Sequence, residues 1–101
     1  MTIYQYRTTV STAQGASSST TLNIVGGLCR QVYVVANTST TVFRLNIVDD
    51  GGVPLTVANY GFSTGMLNDL NIALPMAGRY TVNITNASPN DTFNILLGVE
   101  E

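Results

Sequence analysis

Any chemistry in this chain has to come from six carboxylates (Asp49, Asp50, Asp69, Asp91, Glu100 and Glu101), the thiol of Cys29, and the guanidinium groups of Arg7, Arg30, Arg44 and Arg79. Histidine and lysine are absent. A serine or cysteine nucleophile needs an adjacent base, most often histidine, so the usual nucleophilic constellations have no base to work with. Metal sites built on histidine or on several cysteines are excluded on the same inventory. A glycosidase-like pair of carboxylates is conceivable, but nothing in the spacing of the six supports one. Asp49-Asp50-Gly51-Gly52 lacks the repeated Asp-x-Asp of a calcium loop and reads as a turn. The glycines fall at turns and form no phosphate-binding loop. No catalytic, cofactor-binding or metal-binding residue is therefore assigned, and the expectation is a protein that is not an enzyme.

The charge inventory narrows the partners. A formal charge of −2 with four scattered arginines is not the clustered basic footprint that neutralises phosphates, so no nucleic acid is expected. No polybasic segment and no run of about 20 apolar residues is present, so no membrane partner is expected either. The N-terminus lacks the charged and apolar regions of a secretory signal. Cys29 sits in an apolar pattern and reads as a small buried residue. Four Asn-x-Ser/Thr triplets begin at Asn37, Asn83, Asn86 and Asn90. Asn, Ser and Thr together make up 31 of the 101 residues, so chance accounts for such triplets.

That Thr-rich, charge-poor composition (10% charged, 45% hydrophobic) favours strands and turns. The clearest element is Leu74-Pro-Met-Ala-Gly-Arg-Tyr-Thr-Val-Asn-Ile84: a proline stop, a glycine turn, then a strand. Tyr80, Val82 and Ile84 share one face of that strand, with Arg79, Thr81, Asn83 and Thr85 on the other. In chain order, residues 2–10 read as a first strand and 11–20 as a small, polar joint. Thr21–Val25 is a strand ended by Gly26-Gly27, and Leu28–Ala36 a central strand. Val42–Val48 alternates cleanly, with Phe43, Leu45 and Ile47 on one side. The Asp49–Gly52 turn leads to an edge strand at Pro54–Ala58. Residues 59–71 read as irregular, leading into a strand at Leu70, Ile72 and Leu74. After a turn at 86–91, Phe93, Ile95, Leu97 and Val99 align on the last strand.

About eight short antiparallel strands at this spacing predict a single all-β domain over residues 1–101, a β-sandwich or jelly roll. Residues 1–20 form a possible N-terminal strand or arm with a flexible joint. The aromatics Tyr4, Tyr6, Tyr33, Tyr60 and Phe62 could stack on sugar rings or form an interface, and without tryptophan core or subunit contact is favoured over carbohydrate. Ile3, Tyr4, Tyr6, Arg7, Tyr60 and Phe62 are the candidate interface residues.

Five features together resemble the small accessory structural proteins of tailed-phage virions, of the capsid decoration or cement type. They are the all-β chain of this size, its lysine-free Asn/Thr/Ser-rich composition, the lack of a targeting signal, the lack of a catalytic set, and the N-terminal segment set off by Gln14-Gly-Ala-Ser-Ser-Ser19. The Leu-Pro-x-x-Gly-x-Tyr-x-Val pattern at Leu74–Val82 also looks like the closing strands of many β-sandwich modules. The resemblance implies a non-enzymatic protein of a phage virion, held by contacts with other copies of itself, a trimer being favoured, and with a major capsid or other virion protein. Residues 1–10 would then pair with a neighbouring chain's sheet edge. The alternative is a carbohydrate-binding or adhesin-like sandwich module.

Overall fold

The structure is a computed structural model that describes residues 2–12, 17–88 and 90–101. Eight strands follow one another: β1 (Ile3–Thr12), β2 (Ser18–Ala36), β3 (Val42–Asp49), β4 (Pro54–Asn59), β5 (Ser63–Thr64), β6 (Met66–Asp69), β7 (Leu74–Thr85) and β8 (Asp91–Glu100). The hydrogen-bonded path runs β1-β8-β2-β7-β3-β4, with β6 added to β2 and β5 to β3. Every pairing is antiparallel. Among the described residues no helix is long and apolar enough to cross a membrane.

The 19-residue β2 turns this path into two layers. Its first half, Ser18–Ile24, pairs with β7, a ladder that resumes at Gly27–Cys29, and its second half, Leu28–Ala36, pairs with β8 on one side, with β6 joining Val32–Val35 on the other. One layer is therefore β1-β8-β2-β6 and the other β2-β7-β3-β4. The main antiparallel pairs are nested in sequence: β1 with β8, the two halves of β2 with β7 and β6, and β3 with β4. Nested pairs divided between two four-stranded sheets are the topology of a jelly roll.

The predicted stop at Gly26-Gly27 is instead a bend within one strand. The ladder to β7 shifts register between Ile24 and Gly27, and the chain continues. At Gly27, with φ near +144°, an added Cβ would lie 2.6 Å from the carbonyl oxygen of Glu100. Only glycine lets β8 approach this closely. Pro75 and Gly78 likewise do not interrupt β7. Gly78, with φ near +101°, pairs with Ile24 inside the ladder, so the predicted glycine turn is an irregularity in a continuous strand. The predicted joint at 11–20 is shorter than expected, because Ser11 and Thr12 complete β1 while Ser18, Ser19 and Thr20 begin β2. Residues 13–16 of that joint, and Pro89 of the predicted 86–91 turn, lie outside the described residues. The irregular reading of 59–71 is also corrected. Met66–Asp69 forms β6 on the edge of the first sheet, while Leu70–Ala73 lies outside any strand.

Period-two alternation fills the space between the layers. Phe43, Leu45 and Ile47 of β3, Val82 and Ile84 of β7, and Phe93, Ile95, Leu97 and Val99 of β8 are almost wholly buried. The rings of Phe43 and Phe93 meet edge-to-face, with centroids 5.1 Å apart. Since β3 and β8 belong to different layers, this pair ties the sandwich together across its middle. Cys29 is fully buried, and its thiol donates to the Gln31 carbonyl at 3.5 Å. Burial is the main cause that raises its pKa, so the inert reading holds.

One end of the core is closed by a polar knot. Thr41 Oγ1 donates to Asp91 Oδ2 at 2.5 Å, the Thr38 N–H donates to the same oxygen, and the Thr92 N–H reaches Oδ1 at 2.7 Å. The hydroxyl of Thr12, also buried, donates to the Ser88 carbonyl at 3.0 Å. The Thr41 hydroxyl first, then the backbone N–H groups, holds the Asp91 carboxyl below the ordinary aspartate range. A carboxyl depressed in the folded state stabilises fully above its unfolded pKa of about 3.9, and that contribution is lost as pH falls through the lower folded value. Asp91→Asn is therefore expected to cost about 1.5–3 kcal/mol at neutral pH, with the gap to wild type closing in acid. Urea melts at neutral pH and near pH 2 check this, and an equal gap at both values would exclude the carboxylate as its source.

Candidate functional site

β1 alternates from end to end: Tyr6, Val10 and Thr12 lie on the side facing the core, and Ile3, Gln5, Arg7, Thr9 and Ser11 on the outer side. It pairs with β8 through all ten residues, and among the described residues no strand is hydrogen-bonded to its other edge. That edge offers the peptide groups of a ten-residue strand with neither proline nor glycine to blunt it. At its start the surface is apolar: Ile3 is 58% exposed, Tyr4 47% and Val25, at the β2 bend, 83%. The Tyr6 hydroxyl accepts the Val25 N–H at 3.2 Å, which fixes the bend against β1. Tyr4, Tyr6, Val25 and Glu101 line a hollow of about 240 Å³ there.

The six predicted interface residues do not form one patch. Ile3, Tyr4, Tyr6 and Arg7 belong to β1, with Ile3 and Arg7 on the opposite face from Tyr4 and Tyr6. Tyr60 and Phe62 follow β4, at the far end of the strand order. The Tyr60 N–H is bound to the Leu45 carbonyl, and its hydroxyl donates to Asp69 Oδ2 at 2.8 Å. Burial first, and then that bond to the carboxylate, push the Tyr60 pKa well above the usual phenol value. Its hydroxyl is thus committed internally. Phe62 remains exposed and carries the Arg44 guanidinium 5.5 Å above its ring, a contact of cation–π type.

A second surface, on the outer face of the β1-β8-β2 sheet, was not singled out from the sequence. Register aligns Arg7, Leu96 and Tyr33 in one row across three strands, and Thr9, Asn94 and Val35 in the next. These six residues line an open depression of about 360 Å³. The signal was Leu96, which puts an apolar residue in a slot that the β8 alternation assigns to solvent, beside Tyr33 and Val35 of an all-apolar run.

The carboxylates are dispersed into structural work. Asp49 Oδ1 accepts the N–H groups of Gly51 and Val53 in its turn, as expected for that segment. Asp69 accepts the Asn71 N–H as well as the Tyr60 hydroxyl, and Glu100 pairs with Arg30 at 3.2 Å. Among the described residues no three His, Cys, Asp or Glu side chains are grouped so that they could hold a metal ion. The arrangement offers surfaces for contact and main-chain pairing. No family model, curated protein or solved structure matches the chain.

Proposed function

We propose that this chain is a non-enzymatic virion structural protein of the capsid decoration or cement type. In this reading it joins other copies of itself and a shell protein through main-chain pairing and apolar contact at β1. The observation that carries the proposal is the β1 edge, to which no strand is paired among the described residues, bordered by exposed Ile3, Tyr4 and Val25. Such an edge accepts a further strand by hydrogen bonds alone, and the neighbouring side chains supply the buried area. The jelly-roll topology adds support by analogy, because this architecture serves in viral shells as well as in lectins.

The way β1 takes part differs from a loosely tethered arm. It contributes buried Val10 to the chain's own core and pairs with β8 along its length, so deleting residues 1–10 would damage folding along with assembly. Substitution separates the two. Light scattering of the purified protein is expected to give a closed oligomer, with a trimer favoured. Ile3→Glu combined with Tyr4→Glu is expected to weaken it by roughly tenfold or more while the thermal midpoint stays nearly unchanged. A monomer at the highest soluble concentration, or an oligomer indifferent to both changes, would overturn the self-association.

A further inference from the structure

We infer that the depression on the outer face of the β1-β8-β2 sheet is a binding site for a carboxylate-bearing sugar residue, such as a uronic acid within a glycan. This goes beyond the assembly reading and rests on different residues. Neighbouring strands lie about 4.8 Å apart and alternate residues of a strand about 6.8 Å apart. The two aligned rows therefore make a plate of roughly 10 by 7 Å, the scale of one or two sugar rings. The volume of about 360 Å³ falls at the lower end of the range usual for small-ligand sites, about 300–1,000 Å³.

The chemistry is sorted by position. Tyr33, Leu96 and Val35 form an apolar floor, with Tyr33 only half-buried, suited to the C–H face of a pyranose. Polar groups lie at the β1 side. Thr9 Oγ1 donates to Asn94 Oδ1 at 3.4 Å, which points the Asn94 carbonyl oxygen at Thr9 and leaves the amide N–H groups for a ligand hydroxyl. Arg7 lies at the end of the Tyr33 row, and its guanidinium donates to Gln5 Oε1 at 2.8 Å. That neutral partner orients the group without cancelling its charge. Among the described residues Arg7 has no ion pair, and no carboxylate lines the depression. A guanidinium at the rim of an uncharged polar and aromatic surface selects a carboxylate, which it can take through two parallel hydrogen bonds. The neutral amide, hydroxyl and ring suit the remainder of a sugar better than a second charge.

The test is a titration of the isotope-labelled protein followed by NMR, using methyl glucuronide, methyl glucoside, sodium acetate and a short Glu-containing peptide as separate probes. The expected result is saturable shifts centred on Arg7, Thr9, Tyr33, Asn94 and Leu96 with the glucuronide, and affinity about tenfold weaker for the glucoside. Arg7→Gln should bring the two sugars to equal, weaker affinity, and Tyr33→Ala should abolish both while the remaining spectrum stays folded. Absence of saturable shifts would overturn the inference. So would equal response to acetate, an adventitious ion only, or a response to the peptide that exceeds that to the glucuronide. Native mass measured on the same samples keeps this outcome separate from the fate of the assembly reading.

Discussion

Gly27→Ala is expected to lower the unfolding free energy by about 3 kcal/mol or more, whereas Gly26→Ala costs only about 1–3 kcal/mol. Both residues have a φ that side-chain-bearing residues rarely adopt, near +154° at Gly26 and +144° at Gly27. They differ in what surrounds them. A Cβ at Gly26 would meet nothing within 4 Å, while one at Gly27 would press on the Glu100 carbonyl oxygen at 2.6 Å and Val99 Cγ1 at 2.8 Å. Backbone strain acts at both positions, and the steric conflict with β8 at Gly27 alone. Since Gly27 lies where β2 passes from one layer to the other, relief would have to come from the β2–β8 ladder itself. Paired denaturant melts measure the contrast. Equal losses would mean that β8 moves away freely, and that the close approach does not hold the two sheets together.

The same bend shows where sequence stops being informative. Local signals separated the strands well: Phe43/Leu45/Ile47, Tyr80/Val82/Ile84 and Phe93/Ile95/Leu97/Val99 were each assigned to one face, and all are buried. Alternation depends only on each strand having one wet side and one dry side. Gly26-Gly27 carries the same composition whether it ends a strand or bends one. The choice is made by β7 and β8, which lie some 50 and 70 residues further along the chain and pair on both sides of it. Pro75 and Gly78 were ambiguous for the same reason. Met66–Asp69 has almost no intrinsic strand signal and is a strand because β2 presents an open edge to it.

Site residues were legible to a lesser degree. The paired tyrosines drew attention to β1, whose Ile3 and Tyr4 are exposed, but Tyr60 looked equivalent in sequence and has its hydroxyl bound to Asp69. The Arg7–Leu96–Tyr33 row joins residues from both ends and the middle of the chain. No window of sequence contains it, and only the strand order places it on one face. Tyr33 and Arg7 drew attention singly, and Leu96, at 9% exposure in a slot meant for solvent, was a further local trace, but nothing local joined the three.

Phe93→Ala should be the costliest single truncation in the core, at about 3–5 kcal/mol. Phe93 and Phe43 are both fully buried, and they meet at 5.1 Å with ring planes inclined by 65°, the edge-to-face geometry in which a ring's positive rim meets its neighbour's negative face. Truncating Phe93 removes its own buried surface and leaves Phe43 facing a cavity that two β-sheets, fixed by their ladders, cannot readily close. A double-mutant cycle with Phe43→Ala should then show a coupling of about 0.5–1.5 kcal/mol beyond the separate losses. Phe62→Ala provides the contrast. That residue is 64% exposed, with the Arg44 guanidinium 5.5 Å from its ring centroid, so its removal should cost no more than about 1 kcal/mol. If Phe93→Ala fell to the level of Phe62→Ala in a urea melt, the two layers would not be packed against each other through these rings, and the sandwich would have to be held elsewhere.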